Sequence, residues 1–115
     1  MFIDTPEPPY YAIIFSSLRT PGDHGYQAMA ERMMQLVQQQ SGFLGVESVR
    51  KRDGFGITVS YWQQETDALA WKQQSEHLLA QELGRNQWYT RYSVRVARVE
   101  REYAFCPNAT FPDVS

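Results

Sequence analysis

Thiol and imidazole side chains are scarce in this chain. Cys106 is the single cysteine, and His24 and His77 are the two histidines. No internal disulfide can form, and no paired Cys or His spacing points to a metal site. Cys106 sits between Phe105 and Pro107, with no adjacent base or cation to activate the thiol, so it reads as a bystander. A lone cysteine also agrees with a reducing compartment. Long apolar runs are missing too: nothing approaches the roughly 20 residues that cross a bilayer. The opening Met1-Phe2-Ile3-Asp4-Thr5-Pro6 lacks the basic-then-apolar order of a secretion signal. The expected location is cytoplasmic, with no membrane partner. Charge of one sign does not accumulate either, since 11 basic and 13 acidic residues leave a formal net charge of −2. Without a basic stripe, nucleic acid is not an expected partner. Neither a glycine-rich phosphate loop after a strand nor a Ser-His-Asp pattern is present to support nucleotide use or hydrolysis.

What remains is a globular composition, 43% hydrophobic and 14% aromatic against 21% charged over 115 residues. That length is near the commonest size of one domain and argues against a second independent core. Residues 1–9, with Pro6, Pro8 and Pro9, read as an N-terminal arm, 10–105 as the domain and 106–115 as a tail.

Hydrophobic periodicity sets the element order. Tyr10–Ser17 is rich in strand-forming residues and predicts β1; Tyr11, Ile13 and Phe15 fall on one face and Ala12 and Ile14 on the other. From Gly25 the spacing of Tyr26, Met29, Ala30, Met33 and Val37 becomes helical, with an end expected around Ser41-Gly42. The methionines there read as adaptable core filling rather than as a copper or haem site. Phe43–Val49 and Phe55–Trp62 flank Asp53-Gly54 and predict a hairpin of β2 and β3, with Arg50, Lys51 and Arg52 in a solvated turn.

A second helix is expected through Ala68, Leu69, Trp71, Leu78, Leu79 and Leu83, entered at Thr66 and bent near Gln74-Ser75. Gly84 would break it, and a further helical piece would run through Asn86-Trp88-Tyr89. The last strand covers Tyr92–Phe105, with a bulge near Ala97-Arg98 to explain a change of phase. The result is β-α-β-β-α-β, an α+β, ferredoxin-like four-stranded antiparallel sheet with helices on one face. Apolar residues on both faces of β1, and a last strand that would run about 45 Å, imply a second copy packed on the open face.

One ordered set of segments is more specific. Ser41-Gly42-Phe43-Leu44-Gly45-Val46-Glu47-Ser48, Val59-Ser60-Tyr61-Trp62, Ala70-Trp71, Glu76-His77, Gly84-Arg85, Trp88-Tyr89-Thr90-Arg91-Tyr92 and Val96–Tyr103 together resemble the antibiotic biosynthesis monooxygenase family, over roughly Tyr10 to Phe105. The resemblance implies a homodimeric α+β barrel. It also implies one of several chemistries, because the family includes oxygenases that oxidise electron-rich aromatic molecules without metal or flavin, haem-degrading members, and members with no known reaction.

A cofactor-free oxygenase needs an apolar pocket, a base that forms the reactive anion, and groups that stabilise it. Trp71 and His77 are the candidate catalytic residues, and His77 falls where the resemblance places a tyrosine near a tryptophan. An unperturbed pKa near 6.5 suits base catalysis, although a water-facing histidine would look the same in sequence. Trp71 serves equally well as a core residue. Tyr61, Trp62, Arg91 and Tyr92 are candidates for substrate contact, with Trp88 and Tyr89 as further aromatic lining. Arg91 could instead pair with a carboxylate. The haem-degrading pattern matches poorly: Gln81 stands near its ligand position and Ser16 or Ser17 where it has an asparagine. The function expected is therefore oxidation of a small aromatic or quinol-like molecule with no cofactor; the alternative is a non-catalytic or stress-related binding module on the same dimer.

Overall fold

The computed structural model describes residues 2–81 and 87–107. Its elements are β1 (Tyr10–Arg19), α1 (Tyr26–Val37), β2 (Phe43–Arg50), β3 (Phe55–Trp62), α2 (Glu65–Gln81) and β4 (Tyr89–Val99). The strands form one sheet in the order β2-β3-β1-β4, antiparallel at every junction. This is the ferredoxin-like βαββαβ fold, with both helices on one face.

Local chemistry explains the turns. In the β2–β3 hairpin Gly54 adopts φ 99°, a left-handed conformation that glycine takes without a Cβ penalty. Asp53 Oδ1 accepts the Phe55 N–H at 3.0 Å, and that bond holds its carboxyl below the usual aspartate range. Before α1, Asp23 accepts the amides of Gly25 at 2.9 Å and Gln27 at 3.1 Å. It satisfies donors that the first helical turn leaves free.

Several boundaries differ from the sequence expectation. Helix α1 ends at Val37, ahead of Ser41-Gly42, because the amides of Gln39 and Gln40 and the Gln40 side chain already satisfy its terminal carbonyls. Thr66 lies inside α2 rather than at its cap. No bend interrupts α2 at Gln74-Ser75: it runs unbroken over 17 residues. Gly84 lies outside the described residues.

The β4 bulge is at the other end of the strand. Pairing with β1 is continuous through Ala97 and Arg98, and the register shifts where Leu18 meets Arg91 and Arg19 meets Tyr89. The strand also stops at Val99. The alternation through Tyr103 and Phe105 is that of an irregular segment in which both rings are exposed.

The core lies between sheet and helices. Ile13, Val37, Trp62, Ala68 and Trp71 form one buried cluster, and Met29, Leu79 and Trp88 a second. Trp62 is completely buried; it stacks on Trp71 at 6.2 Å and donates Nε1–H to Ser60 Oγ at 2.9 Å. On the opposite face Leu18, Val49, Phe55 and Ile57 are exposed. The arm before β1 packs along the segment after β4: Tyr10 donates its hydroxyl to Glu102 Oε1 at 2.6 Å, and Thr5 bonds to the same oxygen. Among the described residues no helix is long and apolar enough to cross a membrane.

Candidate functional site

Between the helix-facing side of the sheet and the two helices lies a cavity of about 240 Å³. Its floor is Ile13, Phe15, Val46 and Val94, and its α1 wall is Met29, Met33 and Met34. Strand parity dictates this floor, since alternate residues of β1 and β4 must face the helices. The α2 wall is Trp71, Ser75 and Leu79 with the Lys72–Glu76 pair, whose charged atoms lie 2.7 Å apart. Ser48, Thr58 and Ser60 form a hydroxyl strip across β2 and β3, and Ser48 and Thr58 are joined at 2.7 Å.

One end of the cavity is aromatic and basic. Tyr26, Trp88, Tyr89 and Tyr92 meet there at edge contacts of 5.8–6.2 Å. Burial, then the nearby Tyr26 hydroxyl, raises the Tyr89 pKa well above that of an ordinary phenol. Tyr89 is therefore a neutral donor at any physiological pH. Arg19 Cζ lies 3.6 Å from the Tyr26 ring centroid and Arg50 Cζ 6.0 Å from it.

The structure sorts the candidates from the sequence. Trp71 and Tyr92 line the cavity, as do Trp88 and Tyr89. Trp62 lies behind Trp71 in the core and is not on the lining. Tyr61 points to the opposite sheet face, where it donates to Glu47 Oε1 at 2.8 Å. Arg91 is exposed on edge strand β4.

His77 is exposed as well and does not line the cavity. The straightness of α2 explains its position: six residues at about 100° each place His77 roughly 240° around the helix from Trp71. With α2 unbroken through Gln74-Ser75, the two side chains stay on different faces of the helix. For the haem pattern, Ser17 is turned inward but already accepts from Arg50, and neither histidine lines the cavity. Those residues do not fit a haem ligand set.

The main residue missed in sequence is Arg50. Grouped with Lys51 and Arg52 it looks like part of a turn, yet it continues the inward parity of Val46 and Ser48 and lines the cavity. Parity was the signal that could have found it.

Tyr61 gives a pH prediction. Burial first, and then its bond to Glu47, push its hydroxyl up to about 12 from the ordinary 10.0. A pKa raised on folding favours the folded state fully below pH 10, and that contribution disappears as pH climbs from 10 towards 12. Absorbance titration of wild type against Tyr61→Phe should show one phenol ionising late; a difference curve centred on pH 10 would contradict this.

The profile of the antibiotic biosynthesis monooxygenase family matches residues 9–83. The chain belongs to that family. This family member is 55% identical over 104 residues to the uncharacterised protein YqjZ of Bacillus subtilis (strain 168), covering 90% of this chain and 91% of that one. It is 28% identical over 94 residues to the jasmonate monooxygenase ABM of Pyricularia oryzae, covering 77% of this chain and 43%, under half, of that protein's length. In fold it is similar to the crystal structure of SnoaB, a cofactor-independent oxygenase from Streptomyces nogalater, with a TM-score of 0.59 at 12% identity, covering 92% of this chain and 100% of that one.

Proposed function

We propose that this chain is a monooxygenase that oxidises a small, electron-rich aromatic or quinol-like molecule in the cavity between sheet and helices, using the substrate's own electrons. The observation that carries the reading is the cavity itself, largely apolar and aromatic, in a member of this family. Two similar proteins, the jasmonate monooxygenase and SnoaB, are named as oxygenases, which supports it.

The reaction balances without a further redox partner. An activated ring methylene and dioxygen give a carbonyl and water: the carbon loses four electrons and dioxygen gains them. The protein must exclude water, hold the ring and accept a proton. Trp71 and Tyr92 hold the ring. Glu76 supplies the carboxylate on the described lining and is the proton acceptor in this scheme; the proton neutralises it, and the Lys72 ammonium, 2.7 Å away, is then left to balance the charge of the substrate anion.

A second copy completes the molecule in this proposal. Ile14, Leu18, Val49, Phe55, Ile57 and Val59 share the sheet face away from the helices, and at least four of them are exposed. That apolar face is covered by its twin.

Oxygen uptake tests the activity over a panel of hydroquinones, anthrones and related phenols. Trp71→Phe should lower kcat/KM by about tenfold through misplacement of the ring. Glu76→Gln should cost on the order of 10²–10⁴ in rate, the worth of a positioned base. A loss of that size in His77→Ala instead would return proton transfer to the imidazole. No uptake with any compound, together with saturable binding, would favour the non-catalytic binding module, a reading to which the outward position of His77 lends weight.

A further inference from the structure

We propose that the molecule taken by this cavity is an acid, a flat apolar body carrying one carboxylate or comparable oxyanion that seats on the guanidinium of Arg50. This rests on the reading that the cavity holds a small aromatic molecule, and it names the class of that molecule.

The charge balance of the lining is the first ground. Lys72 and Glu76 neutralise each other. Arg50 has no carboxylate partner among the described residues: its Nη1 donates to Gly54 O at 2.6 Å and its Nη2 to Ser17 Oγ at 2.9 Å. Two of the five guanidinium donors are then used and the rest remain available. Tyr89 supplies no countercharge, because burial keeps its hydroxyl protonated.

The second ground is that the guanidinium is seated rather than loose. Ser17, its hydroxyl partner, is 3% exposed. Gly56 pairs with Arg50 across the β2–β3 ladder, and a Cβ there would lie 2.8 Å from Arg50 Cζ and 2.9 Å from Nη1. The missing side chain is what lets the planar head lie against β3. A half-buried cation held by neutral acceptors alone contributes little to folding. The same arrangement suits an incoming carboxylate, whose two oxygens match the guanidinium fork and bring the missing charge.

Calorimetric titration of the full chain with 2-naphthoate and the neutral, similarly shaped 2-naphthamide tests the assignment. Naphthoate should bind about tenfold to a hundredfold more tightly at neutral pH, the range of a charge-assisted hydrogen bond, and the gap should narrow with added salt. Arg50→Met should close the gap and Arg50→Lys should keep part of it. Gly56→Ala, which keeps the charge but displaces the head, should shrink it. Circular dichroism establishes that each variant is folded, and the wild-type comparison needs no variant at all. Equal affinities in the wild type, a preference that survives Arg50→Met, or binding of neither compound would overturn the proposal. None of these measurements requires turnover. A protein inert towards oxygen that still prefers naphthoate through Arg50 would refute the oxygenase reading alone, and an active oxygenase indifferent to the acid would refute this one alone.

Discussion

Replacing Trp62 by alanine is expected to lower folding stability by about 3–5 kcal/mol, the cost of truncating a buried aromatic. Trp62 is the largest side chain with no exposure, stacked on Trp71 and met edge-on by Phe43 at 5.5 Å. Its removal strips both rings of a packing surface at the point where β3 meets α2. It also removes the Nε1–H donor from the buried Ser60 hydroxyl, and an unsatisfied buried polar group costs about 1–3 kcal/mol by itself. Against a total of about 5–15 kcal/mol for a domain, this is a large share. Urea unfolding followed by tryptophan fluorescence gives the value. A loss below about 1 kcal/mol would mean that the core is not centred on this residue. Trp62→Phe keeps the ring contact but not the donor, so its milder effect separates packing from hydrogen bonding.

The second large effect concerns assembly. If a twin chain covers the outer sheet face, two negative charges there should abolish pairing while leaving the helix-side core untouched. Val49 is 73% and Ile57 40% exposed, and the two residues pair across β2 and β3. Val49→Glu with Ile57→Glu places like charges opposite each other within any apolar contact, a strongly unfavourable arrangement once water is excluded. Light scattering on the eluting peak should give about twice 13.4 kDa for the wild type and 13.4 kDa for the double variant. A wild type that runs as one chain at micromolar concentration would refute the pairing.

The element order was legible because strands and helices impose different periods, and each segment here keeps one period long enough to show it. Phe55–Trp62 was read to the residue, since the Asp53-Gly54 turn marks one end of the strand and the polar Gln63-Gln64 follows the other. What was misread depended on contacts between distant segments. The apparent phase slip between Trp71 and Leu78 suggested a bend, yet a straight helix accommodates the sequence by leaving Leu69 exposed at 46% while Leu79 is buried at 6%. Hydrophobic residues need not all face inward. The position of His77 followed directly from that point. The bulge in β4 was assigned to the wrong end because Tyr103 and Phe105 alternate as a strand would, with no neighbouring strand to pair with. In the site, Trp71 and Tyr92 were visible as aromatics at inward positions. Arg50 was hidden by its basic neighbours, and its placement depends on Gly56 in another strand, a relation that only the β2–β3 register supplies.

The wall of Met29, Met33 and Met34 has a thermodynamic side. Side chains that border a cavity of about 240 Å³ lack packing partners there, so the folded protein is less stable than a filled core of the same size would make it. Whatever fills that space binds the native chain and not the unfolded one, adding about 2.7 kcal/mol at a hundred times its dissociation constant. In the proposed function, folding and recognition would thus form a single linked equilibrium, and unbranched, adaptable methionine side chains would allow occupants of differing outline to restore the missing contacts.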